Sequence, residues 1–118
     1  MRELEITTKI DILQESELSQ EETKLITSAK EATNNSYSPY SHFQVGAALL
    51  LEDNDIITGS NQENASYPVG CCAERTALFW AKANRPDCNI KAIAIAAKHS
   101  NDFTPSPISP CGMCRQAL

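Results

Sequence analysis

A mixed α/β domain with helices packed on one sheet is predicted by three observations. There is one nearly unbroken apolar run, Phe43 to Leu51; segments of helical apolar spacing lie on either side of it; and the two patterns interleave along the chain. The 118 residues suffice for one small core, near the lower limit for a self-sufficient domain. With 42% hydrophobic and 21% charged residues, the chain has the composition of a globular domain and not of a disordered one.

Leu4, Ile6, Thr8, Ile10 and Ile12 fall at alternate positions, which predicts a strand in an N-terminal extension over residues 1–19. Ser19-Gln20-Glu21-Glu22 has capping-box form, and Leu25, Ile26, Ala29 and Ala32 then recur at helical spacing until Asn34-Asn35, predicting a helix from Gln20 to Thr33. FQVGAALLL from Phe43 to Leu51 reads as a strand buried on both faces; Asp53-Asn54 supplies a turn, and Ile56 to Thr58 completes a hairpin. Cys72 to Asn84 carries Ala73, Ala77, Leu78 and Ala81 on one face and ends at Asn84-Arg85-Pro86, so a second helix is expected there. AIAIAA, from Ala92 to Ala97, gives a third strand whose small side chains suit close helix packing. The Pro-rich stretch from Thr104 to Pro110 leads into a last helix at Cys111.

The net charge of −5, with Lys and Arg scattered, argues against a nucleic-acid polymer as partner. The N-terminus shows no apolar stretch fit for a signal peptide or a membrane span, so a cytoplasmic protein with no membrane partner is expected. In that setting five cysteines, an odd number, are better read as thiols, packing residues or metal ligands than as a disulfide framework.

Spacing decides among those uses. Cys72-Ala73-Glu74 opens one predicted helix and Pro110-Cys111-Gly112-Met113-Cys114 opens another, so three thiols can converge where two helix N-termini meet. Zinc takes thiolates in tetrahedral geometry, and three protein ligands leave one position for water, the mark of a catalytic site. Glu74 lies two residues past Cys72, roughly 200° around a helix, which sets it beside that position instead of among the ligands. Three thiolates leave an excess of negative charge, which the helix N-termini and Arg75 can offset.

Four segments carry a family resemblance: SYSPYSHFQVGAALL, GSNQENASYP, CAERTALF and ISPCGMCRQ. In this order, from about Glu31 onward, they resemble the small homotetrameric zinc-dependent cytidine deaminases, the nucleoside deaminases of pyrimidine salvage. Zinc deaminases share an established His-or-Cys-x-Glu and Pro-Cys-x-x-Cys signature, and Cys72 in the first position is the variant of the free-nucleoside enzymes. The resemblance implies a three-layer α/β/α sandwich with a mixed central sheet and one Zn2+ per subunit on Cys72, Cys111 and Cys114. It implies hydrolytic deamination of cytidine and deoxycytidine to uridine and deoxyuridine plus ammonia. Glu74 would take a proton from the attacking water and return protons to N3 of cytosine and to the departing amine. Phe43 would pack on the pyrimidine, Asn61 and Glu63 would bind the ribose hydroxyls, and the backbone of Ala73 would hold the base. Ala65 and Tyr67 would reach a neighbouring subunit's site, making the partner a second copy in a homotetramer.

The family pattern continues past Leu118 through further strands. Residues 20–118 are therefore expected to form a zinc-binding domain incomplete at its C-terminus, with the third strand an exposed edge. Other readings exist for single residues. Cys111 and Cys114 could be a redox pair, which leaves Cys72 and Glu74 idle. Cys71 could close a structural zinc site, although its neighbour Cys72 already opens the helix. Cys88, His42 and His99 have no partners at ligand spacing, and Phe43, Asn61 and Glu63 read alone are core, turn and solvated residues. Two classes of function follow: a cytidine deaminase, with a relative acting on a cytosine-containing antibiotic as a variant, or a zinc-binding, non-catalytic assembly subunit.

Overall fold

The nine residues FQVGAALLL form the central strand β1 (Phe43–Leu51), and seven of them are buried, which accounts for the apolar run. This computed structural model describes residues 1–118. On one side β1 pairs antiparallel with β2 (Ile56–Ser60), from Leu50 opposite Ile56 to Gly46 opposite Ser60. On the other it pairs antiparallel with β3 (Ile90–His99), with Val45 opposite Ala97. A two-residue strand, β4 (Asp102–Phe103), completes the order β2-β1-β3-β4. Ser100 and Asn101 make the turn into β4 with φ of 53° and 68°, the left-handed pair that a two-residue hairpin requires.

The helices lie on opposite faces. The first, α1 (Gln20–Ala32), is capped by Ser19, whose hydroxyl accepts from the Glu22 N–H at 3.1 Å as the capping box predicts. Its Leu25 and Ala29 pack with Ala48, Leu50, Ala94 and Ala96. The second, α2 (Ala73–Asn84), buries Ala73, Ala77, Leu78 and Ala81 against Val45, Ala47, Leu49 and Ala97. Helix, sheet and helix make the expected three layers.

The four strands present pair antiparallel in every ladder, with one isolated parallel bridge, Tyr37 to Gln62. Both hairpins reverse the chain, and the α2 crossover brings β3 back against β1. The strand expected over Leu4 to Ile12 does not form: residues 1–14 hold no helix or strand, and Leu4, Ile6, Ile10 and Ile12 are 80–93% exposed. Alternation specifies which face a strand would bury, but it does not select a pairing partner, and residues 1–14 pair with neither open edge of the sheet, β2 or β3. A 3-10 turn at Glu15–Glu17 follows, held by an ion pair from Lys30 Nζ to Glu15 at 2.6 Å.

Close contact between layers rests on two glycines. A Cβ on Gly46 would lie 2.1 Å from the Ala29 carbonyl oxygen, and one on Gly59 would lie 2.5 Å from Ala77 N and 2.7 Å from Ala73 O. All these obstacles are helix backbone, which cannot turn aside. Gly46→Ala is therefore expected to lower stability by about 3 kcal/mol, the upper end of overpacking costs, read as a lower urea midpoint at unchanged slope. The outer edge of β3 bonds only through Lys98 and His99 to β4 and from the Thr104 N–H to Ala97 O, leaving Ile90–Ala96 open as expected.

Candidate active site

Two helix starts bring the cysteines together. Cys72 caps α2 in an extended conformation, and its side chain makes no capping bond, so the sulfur is left for other contacts. Cys111 caps α3 (Gly112–Ala117), its Sγ accepting from the Cys114 N–H at 3.4 Å. The Sγ atoms of Cys72, Cys111 and Cys114 all lie within 4.8 Å of one another, and those of Cys72 and Cys111 are 3.7 Å apart. A disulfide would need about 2.05 Å. Two thiolates on a tetrahedral zinc, each about 2.3 Å from the metal, stand about 3.8 Å apart. The donor set and its spacing fit zinc.

The surroundings supply the charge balance. Cys114 is fully buried and Cys111 is exposed. Burial pushes the Cys114 thiol up, the neighbouring Cys111 and the Glu74 charge add to the rise, and Arg75 opposes it. Cys111 is lowered, first by the backbone N–H of Cys114 and then by the Cys114 thiol, against desolvation. Three thiols this close resist ionising together, and a dication among them reverses that preference. Arg75 Nη2 donates to Cys72 Sγ at 3.5 Å, while its buried Nε has no protein partner. The Arg75 guanidinium is raised by the Cys72 sulfur first and the Cys114 sulfur second. Glu74 occupies the first turn of α2 with 5% of its surface exposed, where the helix N-terminus favours a carboxylate.

The other predicted residues lie along the start of β1 and the segment after β2. Phe43 packs against the cluster that contains Ala73, so it lies on the α2 side of the sheet. Asn61 ties this region together: its Oδ1 accepts from the Val45 N–H at 2.9 Å and from the Ser36 hydroxyl, and its Nδ2 donates to Phe43 O at 2.8 Å. Glu63 accepts from the N–H groups of Tyr40 and Ser41 at 3.0 and 3.2 Å and from the Ser41 hydroxyl at 2.5 Å. That hydroxyl is the first cause holding the Glu63 carboxyl below the usual range; desolvation opposes it, and the backbone donors and His42 add to it. Ala65 and Tyr67 are exposed, Tyr67 by 88%.

The remaining cysteines and histidines stand apart from the cluster. Cys71 is held by a backbone bridge to Gln62, and Cys88 lines a surface cleft of 430 Å³ with Glu52, Arg85 and Asp87. His42 and Ser38 line another cleft, of 380 Å³, and His99 Nδ1 is 3.3 Å from the Ser100 hydroxyl. Sequence reasoning gave no role to Ser36 or Ser41, because serines in a turn carry no spacing signal.

The zinc-binding region of cytidine and deoxycytidylate deaminases matches residues 19–118. Curated cytidine deaminases of Halalkalibacterium halodurans and Sporosarcina psychrophila are 50% and 47% identical to the chain over 95 residues, each match covering 80% of it. Those matches cover 67% and 65% of the relatives, so the chain spans about two thirds of their length. The crystal structure of cytidine deaminase from Burkholderia pseudomallei superposes with a TM-score of 0.69 at 46% identity, over 79% of this chain and 70% of that one. The Mycobacterium tuberculosis enzyme gives 0.69 at 35% identity, over 80% and 72%. Four motifs in one order, a triad of thiols at zinc spacing and a family match over that whole region agree: the chain belongs to the cytidine and deoxycytidylate deaminase zinc-binding family.

Proposed function

We propose that this protein hydrolyses cytidine and deoxycytidine to uridine and deoxyuridine with release of ammonia, as a cytoplasmic enzyme of pyrimidine salvage. The observation that carries this reading is the Cys72, Cys111 and Cys114 triad with buried Glu74 two residues beyond its first member. Cys72, Cys111 and Cys114 would hold one Zn2+ per subunit, which, when bound, supplies a Lewis acid that makes water nucleophilic near neutral pH.

The remaining steps fall to the chain's own groups. Glu74 takes a proton from the water as its oxygen bonds to C4 of cytosine and delivers it to N3; it then takes the remaining proton of the added hydroxyl and passes it to the amine as the C4–N bond breaks, so that water and cytidine become uridine and ammonia. Phe43 stacks on the pyrimidine, the Ala73 backbone holds the base, and Asn61 and Glu63 take the ribose hydroxyls. Asn61 has committed its Oδ1 and one amide hydrogen to the protein, which leaves one N–H for a ligand. Arg75 offsets the charge of three thiolates. Exposed Ala65 and Tyr67 serve the pocket of a second copy, in a homotetramer. No helix is long and apolar enough to cross a membrane.

Metal analysis of the purified chain, run alongside conversion of cytidine to uridine, tests the reading. One zinc with turnover supports it, zinc without turnover favours a non-catalytic assembly subunit, and absence of zinc overturns both. Arg75→Ala is expected to weaken zinc retention by about 10–100-fold in competition with a chelator, as for the loss of other groups that support metal ligands.

A further inference from the structure

One hydroxyl joins the two sides of the candidate nucleoside pocket. Ser41 Oγ donates to Glu63 Oε2 at 2.5 Å and accepts from the Phe43 N–H at 3.0 Å. On the far side of the same residue, Asn61 Nδ2 donates to Phe43 O at 2.8 Å. The intervening residue, His42, is left-handed with φ of 57°, a conformation that folds the chain so that Ser41 faces both partners. A carboxylate needs a donor and a backbone N–H needs an acceptor, and a hydroxyl is the smallest side-chain group that provides both. Ser41 and His42 are exposed, so water could satisfy these polar atoms equally well. Burial therefore does not force this arrangement, and its consequence is orientation.

We propose that Ser41 is a positioning residue for pentose recognition, its hydroxyl fixing the Glu63 carboxylate relative to the Phe43 backbone. The base-stacking ring and the sugar-binding carboxylate are then held in one register, and the substrate is read as a base joined to a hydroxylated pentose. This rests on the nucleoside reading of Phe43 and Glu63 given above. It assigns to Ser41 no contact with substrate.

The test compares cytidine with 2′,3′-dideoxycytidine, which keeps the base and lacks both ring hydroxyls, in the unaltered chain, Ser41→Ala and Ser41→Thr. Ser41→Ala is expected to raise KM for cytidine about tenfold, the scale of one hydrogen bond to a charged group, with kcat and the KM for the dideoxynucleoside changed less than about twofold. Ser41→Thr keeps the hydroxyl and should restore the cytidine KM. A second readout is the Glu63 carboxyl titration followed by carbon-13 NMR, whose midpoint should rise in Ser41→Ala and return in Ser41→Thr. Equal KM changes on both nucleosides, or an unmoved Glu63 midpoint, overturn the positioning role while turnover by the unaltered chain upholds the nucleoside reading. Absence of turnover in the unaltered chain overturns that reading, and the proposal with it.

Discussion

Glu74→Gln is expected to keep its zinc and lose about 10²–10⁴-fold in kcat, the range associated with a positioned general acid and base. The substitution preserves shape and hydrogen-bonding capacity while removing the one group proposed to accept a proton from water and return it to the base. Glu74 is 5% exposed and sits in the first turn of α2, two residues beyond Cys72. It is also close enough to the cysteines for its charge to raise the Cys114 thiol. Metal content and steady-state kinetics measured on one preparation check the result. If kcat falls less than tenfold, proton transfer belongs to another group; if zinc is lost as well, Glu74 is part of the metal's support.

The parts of this fold that were legible in the sequence are those written in local patterns. The apolar run gave the bounds of β1, Phe43 to Leu51, because seven of its nine residues are buried on a two-sided strand and only Gln44 interrupts the apolar pattern. Helix α2 was legible to within one residue, expected from Cys72 and beginning at Ala73 with Cys72 as its cap, because Ala73, Ala77, Leu78 and Ala81 set the helical phase and Asn84-Arg85-Pro86 ends it. The thiol triad was legible for the same reason, each half being a short motif at a helix start.

Features that depend on residues distant in sequence were not legible. Nothing near Gly46 or Gly59 says that a helix backbone would press against them, α1 at Gly46 and α2 at Gly59. Strand β4 exists because Ser100 and Asn101 both adopt positive φ, a choice neither residue type compels. Alternation from Leu4 to Ile12 has the period of a strand, yet pairing with a sheet edge is a long-range choice that alternation does not encode. The link from Ser41 to Glu63 crosses 22 positions of chain and depends on the turn at His42.

Cys114→Ser is expected to leave less than a tenth of the zinc and to remove most of the stability that the metal confers. Of the three sulfurs this one is fully buried, whereas Cys111 is exposed and Cys72 partly so. Its thiolate would be strongly disfavoured without a cation, as its raised titration indicates, so metal and Cys114 support each other's charge. A ligand present at 1,000 times its dissociation constant stabilises the folded state by about 4.1 kcal/mol, and a variant that no longer binds it forfeits that amount. The serine hydroxyl adds about 1–3 kcal/mol of its own if it finds no partner in the buried space. Thermal unfolding with and without a strong chelator separates the two effects: the unaltered chain should lose stability on chelation, the variant should not respond, and the gap left between the two in chelator measures the hydroxyl alone. A Cys114→Ser chain that still carries one zinc would show that Cys72 and Cys111 suffice, and would remove Cys114 from the ligand set.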